Sequence, residues 1–232
     1  MELSTFRFPD PELAGRRGVA MGYAVRHPGG VLVFDTGFGF GSQELEASYA
    51  PVSRRVEDAL RDVGVAMDEV TDVVNCHLHV DHAGQNGAFP GVPIHVQPAE
   101  WELAHTPDHT ILDWIEAPRT TYREAAGDHD VAPGIRVVAT PGHTAGHQSL
   151  VVETDAGPVV LAGQACYSLG EWLGDPDALA GRSGAPDKAA YDRSIEKLRV
   201  IDPVRVHFGH DRQVWLADRG RATTPAILPG PC

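Results

Sequence analysis

The stretch NCHLHVDHAGQN, Asn75 to Asn86, gathers three histidines and one aspartate between His77 and His82. His77 and His79 are two residues apart, so on extended backbone both rings leave the same side. Asp81 and His82 follow where the chain turns, and Ala83-Gly84 lets a helix begin close by. Imidazole nitrogen beside carboxylate oxygen suits Zn²⁺ or a similar divalent cation. Surface histidines are rarely packed this densely straight after an apolar run. Two further loops carry single histidines: His143 in PGHTAGHQSL and His210 in FGHD. In isolation each reads as a structural histidine. Beside the first cluster, they complete what a pair of metals needs.

The elements that must position these residues are legible in outline. Val19–Arg26 and Val31–Phe34 read as a hairpin across HPGG. DTGFGFG then leaves a strand end. Ser53 is a plausible N-cap for a helix carrying Val56, Leu60 and Val63 and stopping at Gly64. Val70–Cys76 is a buried strand that delivers the first histidines, and Ile94–Gln97 a short one. The segment 98–130 reads as irregular chain and short helices lying over the face of the protein and shaping a pocket. Ile135–Ala139 and Ser149–Glu153 flank the His143 loop, and Val159–Ala162 leads into LAGQACYS. Asp187–Val200 is an amphipathic helix before a last strand, Val204–Phe208, and the His210 loop. The tail PAILPGPC reads as loosely ordered. No repeat or linker divides the 232 residues, so the expectation is one α/β domain over 1–232.

Composition excludes some partners. The net charge is −13, from 32 acids against 19 bases, which argues against nucleic acid and against an anionic membrane surface. No apolar run approaches the roughly 18–20 residues of a membrane span, and MELSTFRFPDPELAGRR lacks the apolar centre of a signal peptide. Cys76, Cys166 and Cys232 are too few and too scattered for a disulfide framework. The expectation is a cytoplasmic protein acting on a small molecule.

HLHVDH, the DTG loop, PGHTAGHQSL and the terminal GHD resemble the metallo-β-lactamase superfamily. HLHVDHAGQN, PGHTAGHQSL and QACY look most like its acyl-homoserine lactonase group. The resemblance runs from about Val19 to Asp211 and implies a four-layer αβ/βα sandwich with the site at one edge between two sheets. It further implies that His77, His79 and His143 hold one metal, that Asp81, His82 and His210 hold a second, and that Tyr167 contacts the substrate. A homodimer and a role in quorum quenching are also implied by the resemblance alone.

One position departs from the pattern. The family has Asp-x-x-Tyr, with the aspartate bridging both metals; this chain has Gln164-Ala165-Cys166-Tyr167. Tyr167 stays in register, so the substitution is real rather than a slip. Each metal keeps three protein ligands, and a shared hydroxide can complete both shells. Loss of the carboxylate makes the centre more positive, which predicts a more acidic bound water and weaker retention of the second metal. Cys166 is a possible substitute ligand, but two residues along a strand separate Cβ atoms by about 6–7 Å, and a small buried cysteine is the better reading. Cys76 reads as core in the same way.

The chemistry implied is metal-dependent opening of a lactone or related ester. Metal coordination brings water to a pKa of about 7, and the resulting hydroxide attacks the carbonyl. Tyr167 stabilises the oxyanion, Asp81 carries the proton to the leaving alkoxide, and His147 and Asp211 are candidates to orient the ligands. Three readings compete: a thioesterase, phosphodiesterase or β-lactamase on the same scaffold, a specialised-metabolism enzyme using the metals for another reaction, and a degenerate protein that binds without turnover.

Overall fold

The structure, a computed structural model, describes residues 1–9, 13 and 15–217. The expectations for PAILPGPC and Cys232 fall outside the described residues. Elements are numbered in chain order.

Among the described residues three sheets organise the fold. A five-stranded sheet has the order β3 (Tyr23–His27), β4 (Gly30–Phe34), β6 (Val70–Val74), β7 (Pro93–Val96), β8 (Thr121–Glu124). Its first pair is the expected antiparallel hairpin, with His27 opposite Gly30, and the remaining pairs are parallel. A six-stranded sheet has the order β14 (Val214–Leu216), β13 (Arg205–His207), β12 (Val159–Leu161), β11 (Gln148–Val152), β10 (Ile135–Ala139), β9 (His129–Ala132). A small sheet places β1 (Glu2–Arg7) between β2 (Arg17–Met21) and β5 (Val52–Ser53).

Strand alternation sets the layering. Leu32, Phe34 and Val74 of the first large sheet meet Ile135, Val137, Leu150 and Leu161 of the second in one buried core. The other face of the first sheet, through Val31, Val33, Val73 and Ile94, packs on Val56, Ala59 and Leu60 of α2 (Val56–Asp62). The outer face of the second, through Val138, Val151, Val160 and Val206, packs on Leu169 and Trp172 of α6 (Leu169–Leu173) and Leu198 of α7 (Lys188–Val200). The result is the expected succession of helix, sheet, sheet and helix. Among the described residues no helix is long and apolar enough to cross a membrane.

Several local expectations change. The run Val19–Arg26 is two strands in different sheets, broken at Gly22, where a Cβ would lie 2.6 Å from the Leu3 side chain. Ser53 does not cap α2: it pairs with Ser4 in the small sheet, and the Val56 N–H is capped from afar by Gln85 Oε1 at 2.9 Å. A tertiary cap of this kind leaves no local signature. The helix α1 (Gln43–Tyr49), capped by Ser42, was not anticipated, and neither were β1 and β14. The segment 98–130 contains the expected short helices, α4 (Pro98–Ala104) and α5 (Leu112–Ile115). It also contributes β8 and the first half of β9, whose largely exposed TYRE and half-buried HDVA carry little apolar pattern.

Candidate metal centre

β6 ends just before His77, and the four-residue helix α3 (Val80–Ala83) starts directly after His79. The short path between strand and helix is what places His77, His79, Asp81 and His82 together. The loop from β10 to β11 brings in His143. Gly142, at φ +142°, lies flush on α7, since a Cβ there would come 2.4 Å from the Tyr191 backbone nitrogen. His143 Nε2 lies 3.2 Å from His77 Nε2 and 3.2 Å from His79 Nδ1. Burial pushes the pKa values of His77 and His143 well below that of a free imidazole and that of His79 down to about 4, so the three rings are neutral. Their outer nitrogens have other partners: His77 Nδ1 faces Cys76 Sγ at 3.1 Å, and His143 Nδ1 faces the Tyr167 hydroxyl at 3.3 Å. With hydrogens on those outer atoms, His77 and His143 turn lone pairs toward one another. A donor set of this kind fits a divalent cation.

The second set is gathered around one oxygen. Asp81 Oδ2 lies 3.3 Å from His82 Nε2 and 3.6 Å from His210 Nε2. The 3.3 Å approach lacks hydrogen-bond alignment, so His82 Nε2 is buried with no hydrogen-bond partner, an orphan that a cation would satisfy. His82 is aimed by Asp35, whose Oδ2 accepts from Nδ1 at 2.9 Å while its Oδ1 accepts the Cys76 N–H at 2.8 Å. Asp35 holds a left-handed φ of 62°, a costly conformation that the surrounding contacts maintain. His210 is aimed by the Val19 carbonyl, which accepts from its Nδ1 at 2.8 Å. Convergence is looser than in the first set: His210 joins no group of three described donors lying within 4.8 Å of one another. Its Nε2 is contacted by the side-chain nitrogen of Gln164.

Beyond β12 the chain turns at Gly163, at φ +57°, where a Cβ would clash with Cys76 at 2.6 Å. His147 supports this turn rather than a ligand. Its Nδ1 donates to the Thr140 carbonyl at 3.1 Å, leaving Nε2 to accept the Gln164 N–H at 2.9 Å. Tyr167 stacks on Phe8 and is buried, which raises its pKa and keeps it a protonated donor. Cys166 takes the buried position preferred for it over a ligand role, and one expectation, for Asp211, is corrected. Cys166 packs in the outer core beside α6 and α7, and its thiol donates to the Ser168 carbonyl at 3.5 Å, away from the histidines. Asp211 orients no histidine: its carboxylate accepts the N–H groups of Leu169 at 3.0 Å and Gln213 at 2.9 Å, bracing two loops.

Sequence reasoning missed the residues behind the candidate ligands. Glu100 of α4 is fully buried; its Oε1 accepts from the Leu78 N–H at 2.9 Å and His109 Nε2 at 2.8 Å, and its Oε2 from the Thr144 hydroxyl at 2.5 Å. It ties the first histidine loop to the second. Burial pushes its pKa up, but bonds from His109, Thr144 and Leu78 outweigh that and hold it below the usual carboxylate range. His109 packs on His79 with ring centres 4.5 Å apart. Nothing in PAEWELA distinguishes Glu100 from a solvated helix residue. For Asp35, the DTG loop leaving a strand was the available signal.

The sequence profile of the metallo-β-lactamase superfamily matches residues 15–210. The chain belongs to this superfamily. Among superfamily members, an N-acyl homoserine lactonase of a Bacillus species is 38% identical over 158 residues, covering 68% of this chain and 62% of the relative. The chain thus spans less than two thirds of the length of that lactonase. The lactonase AttM of Rhizobium radiobacter is 29% identical over 228 residues, covering 83% and 82% of the two chains. A crystal structure of an N-acyl homoserine lactone hydrolase, with the product N-hexanoyl-L-homoserine bound at its catalytic metal centre, superposes with a TM-score of 0.74 at 28% identity over 90% of each chain. The same fold is found in the crystal structure of a probable metal-dependent hydrolase from Staphylococcus aureus, with a TM-score of 0.78 at 16% identity.

Proposed function

We propose that this protein is a metal-dependent hydrolase that opens the ring of an N-acyl homoserine lactone or a closely related ester, with quorum quenching as the biological outcome. The observation that carries the reading is the convergence of His77, His79 and His143 beside the Tyr167 hydroxyl. The lactonases at 38% and 29% identity support the substrate class.

In this reading His77, His79 and His143 hold one divalent cation, and Asp81, His82 and His210 hold a second, with zinc the preferred identity for such nitrogen-rich sets. When bound, the cations supply ionised water at neutral pH and polarise the substrate carbonyl. Tyr167 accepts the His143 Nδ1 hydrogen, which leaves its own O–H free to donate to the substrate oxygen as negative charge develops there. Asp81 carries the proton that the attacking water gives up and delivers it to the ring oxygen as its bond to the carbonyl carbon breaks. The segment 98–130 shapes the pocket that takes the acyl chain. Cytoplasmic residence belongs to the same reading, since Cys76 and Cys166 are buried free thiols.

Elemental analysis of the purified protein, followed by a panel of acyl homoserine lactones, thioesters and phosphodiesters, tests the proposal. The expected result is bound zinc and release of one proton per lactone consumed. Absence of both metal and turnover would sink it. Metal without turnover would favour a binding protein, a reading to which the Gln164 contact on His210 lends specific support.

A further inference from the structure

Resting on the two-cation reading above, we propose that the Gln164 amide masks the ligating nitrogen of His210, so that this centre loads its two cations in order and with unequal strength. The argument begins with a tautomer. A carbonyl oxygen can only accept, so His210 Nδ1, 2.8 Å from the Val19 oxygen, carries the hydrogen. His210 Nε2 then presents a lone pair, and the atom facing it must be a donor. The side-chain N–H of Gln164 meets that need. Rotating the amide by half a turn would set Oε1 against the same lone pair, a repulsive arrangement without a cation between them.

The rest of the loop keeps the mask in place. The Gln164 backbone N–H is held by His147 at 2.9 Å, and the preceding residue, Gly163, lies against Cys76 and His147 without room for a side chain. Gln164 therefore cannot withdraw by moving its backbone; only its side chain can turn. Its Oε1 is buried and has no partner among the described residues, although the residue is only 4% exposed. With Oε1 unpartnered, turning the side chain breaks only the bond to His210 and frees that lone pair for a cation. The first set has no such obstacle. One cation should bind at His77, His79 and His143 before the amide turns, and the second only with the loss of a hydrogen bond.

The experiment is a zinc titration of the metal-free protein against a competing chromophoric chelator, for the natural sequence, Gln164→Ala and Gln164→Asp. The natural protein should take one tight equivalent and a second weaker by on the order of a hundredfold. Gln164→Ala should tighten the second about tenfold, the worth of one hydrogen bond, without changing the first. Gln164→Asp should tighten it further by adding charge. Equal affinities in the natural protein, or no tightening in Gln164→Ala, would overturn the proposal. Nitrogen-15 spectra of the histidine rings give a second reading on the unaltered chain. The first equivalent of zinc should shift His77, His79 and His143 and leave His210 unmoved. A shift of His210 with the first equivalent would overturn the ordering. Failure of any tight zinc to bind would instead remove the metal reading on which the proposal stands.

Discussion

The two halves of this centre are built on the same edge of the fold but are finished differently. Around His77, His79 and His143, two ring nitrogens lie 3.2 Å from a third, and His77 and His143 are each backed by a neighbouring side chain. Around Asp81, His82 and His210 the backing is equally complete, through Asp35 and the Val19 carbonyl. What differs is one neutral amide standing where a shared carboxylate would stand. The scaffold behind a ligand and the group between ligands are therefore separable. A binding site can be retuned through the second while the first stays intact.

The strongest way to break this comparison is to remove a ligand from the tighter half. His77→Ala should abolish the first equivalent of zinc and lower kcat/KM by on the order of 10³-fold or more. Metal content and lactone turnover are the measurements, and a retained tight equivalent would show the halves to be wrongly ranked. Next in size is Tyr167→Phe. Its hydroxyl faces the first half, so kcat should fall by roughly 10²–10³-fold, the usual cost of one oxyanion donor. The zinc count should stay unchanged, and loss of metal would recast Tyr167 as a support for His143 alone.

Glu100 sharpens the comparison because it touches the loops of the tighter half from behind. Glu100→Gln keeps the shape but removes the charge that Leu78, His109 and Thr144 share. The first zinc affinity should fall about 10–100-fold, with the second less affected. A chelator competition that finds both sites weakened equally would mean that Glu100 stabilises the whole edge and not one half.

What could be read from the sequence follows from where the signal resides. The histidine loops were legible because ligand chemistry demands particular residue types at short spacing, and the structure places the six expected ligand residues along one edge. The sandwich was legible through its apolar strands, β4, β6, β10 and β11. Glu100 was hidden because a buried carboxylate looks like a solvated one until its partners, 22 and 44 residues away, are known. The Gln85 cap on α2 was hidden for the same reason. Cys166 was legible: a small buried cysteine was the better reading beside Gln164, and it packs in the outer core under α6 and α7.

Cys76 supplies the smallest and most discriminating test. A buried cysteine after a strand reads as packing, yet its Sγ lies 3.1 Å from His77 Nδ1 and 3.3 Å from His82 Nδ1. It thus touches one histidine of each half. The two histidines do not depend on it equally. His82 Nδ1 also has the Asp35 carboxylate at 2.9 Å, whereas Cys76 is the partner found for His77 Nδ1 among the described residues. Cys76→Ala should therefore weaken the first zinc by about tenfold and the second by much less. Cys76→Ser restores an acceptor of similar size and should recover most of that loss. If serine fails to rescue, the thiol acts through volume and not through His77. If the second site weakens more, Asp35 does not hold His82 alone, and the two halves share a support that their separate hydrogen bonds conceal.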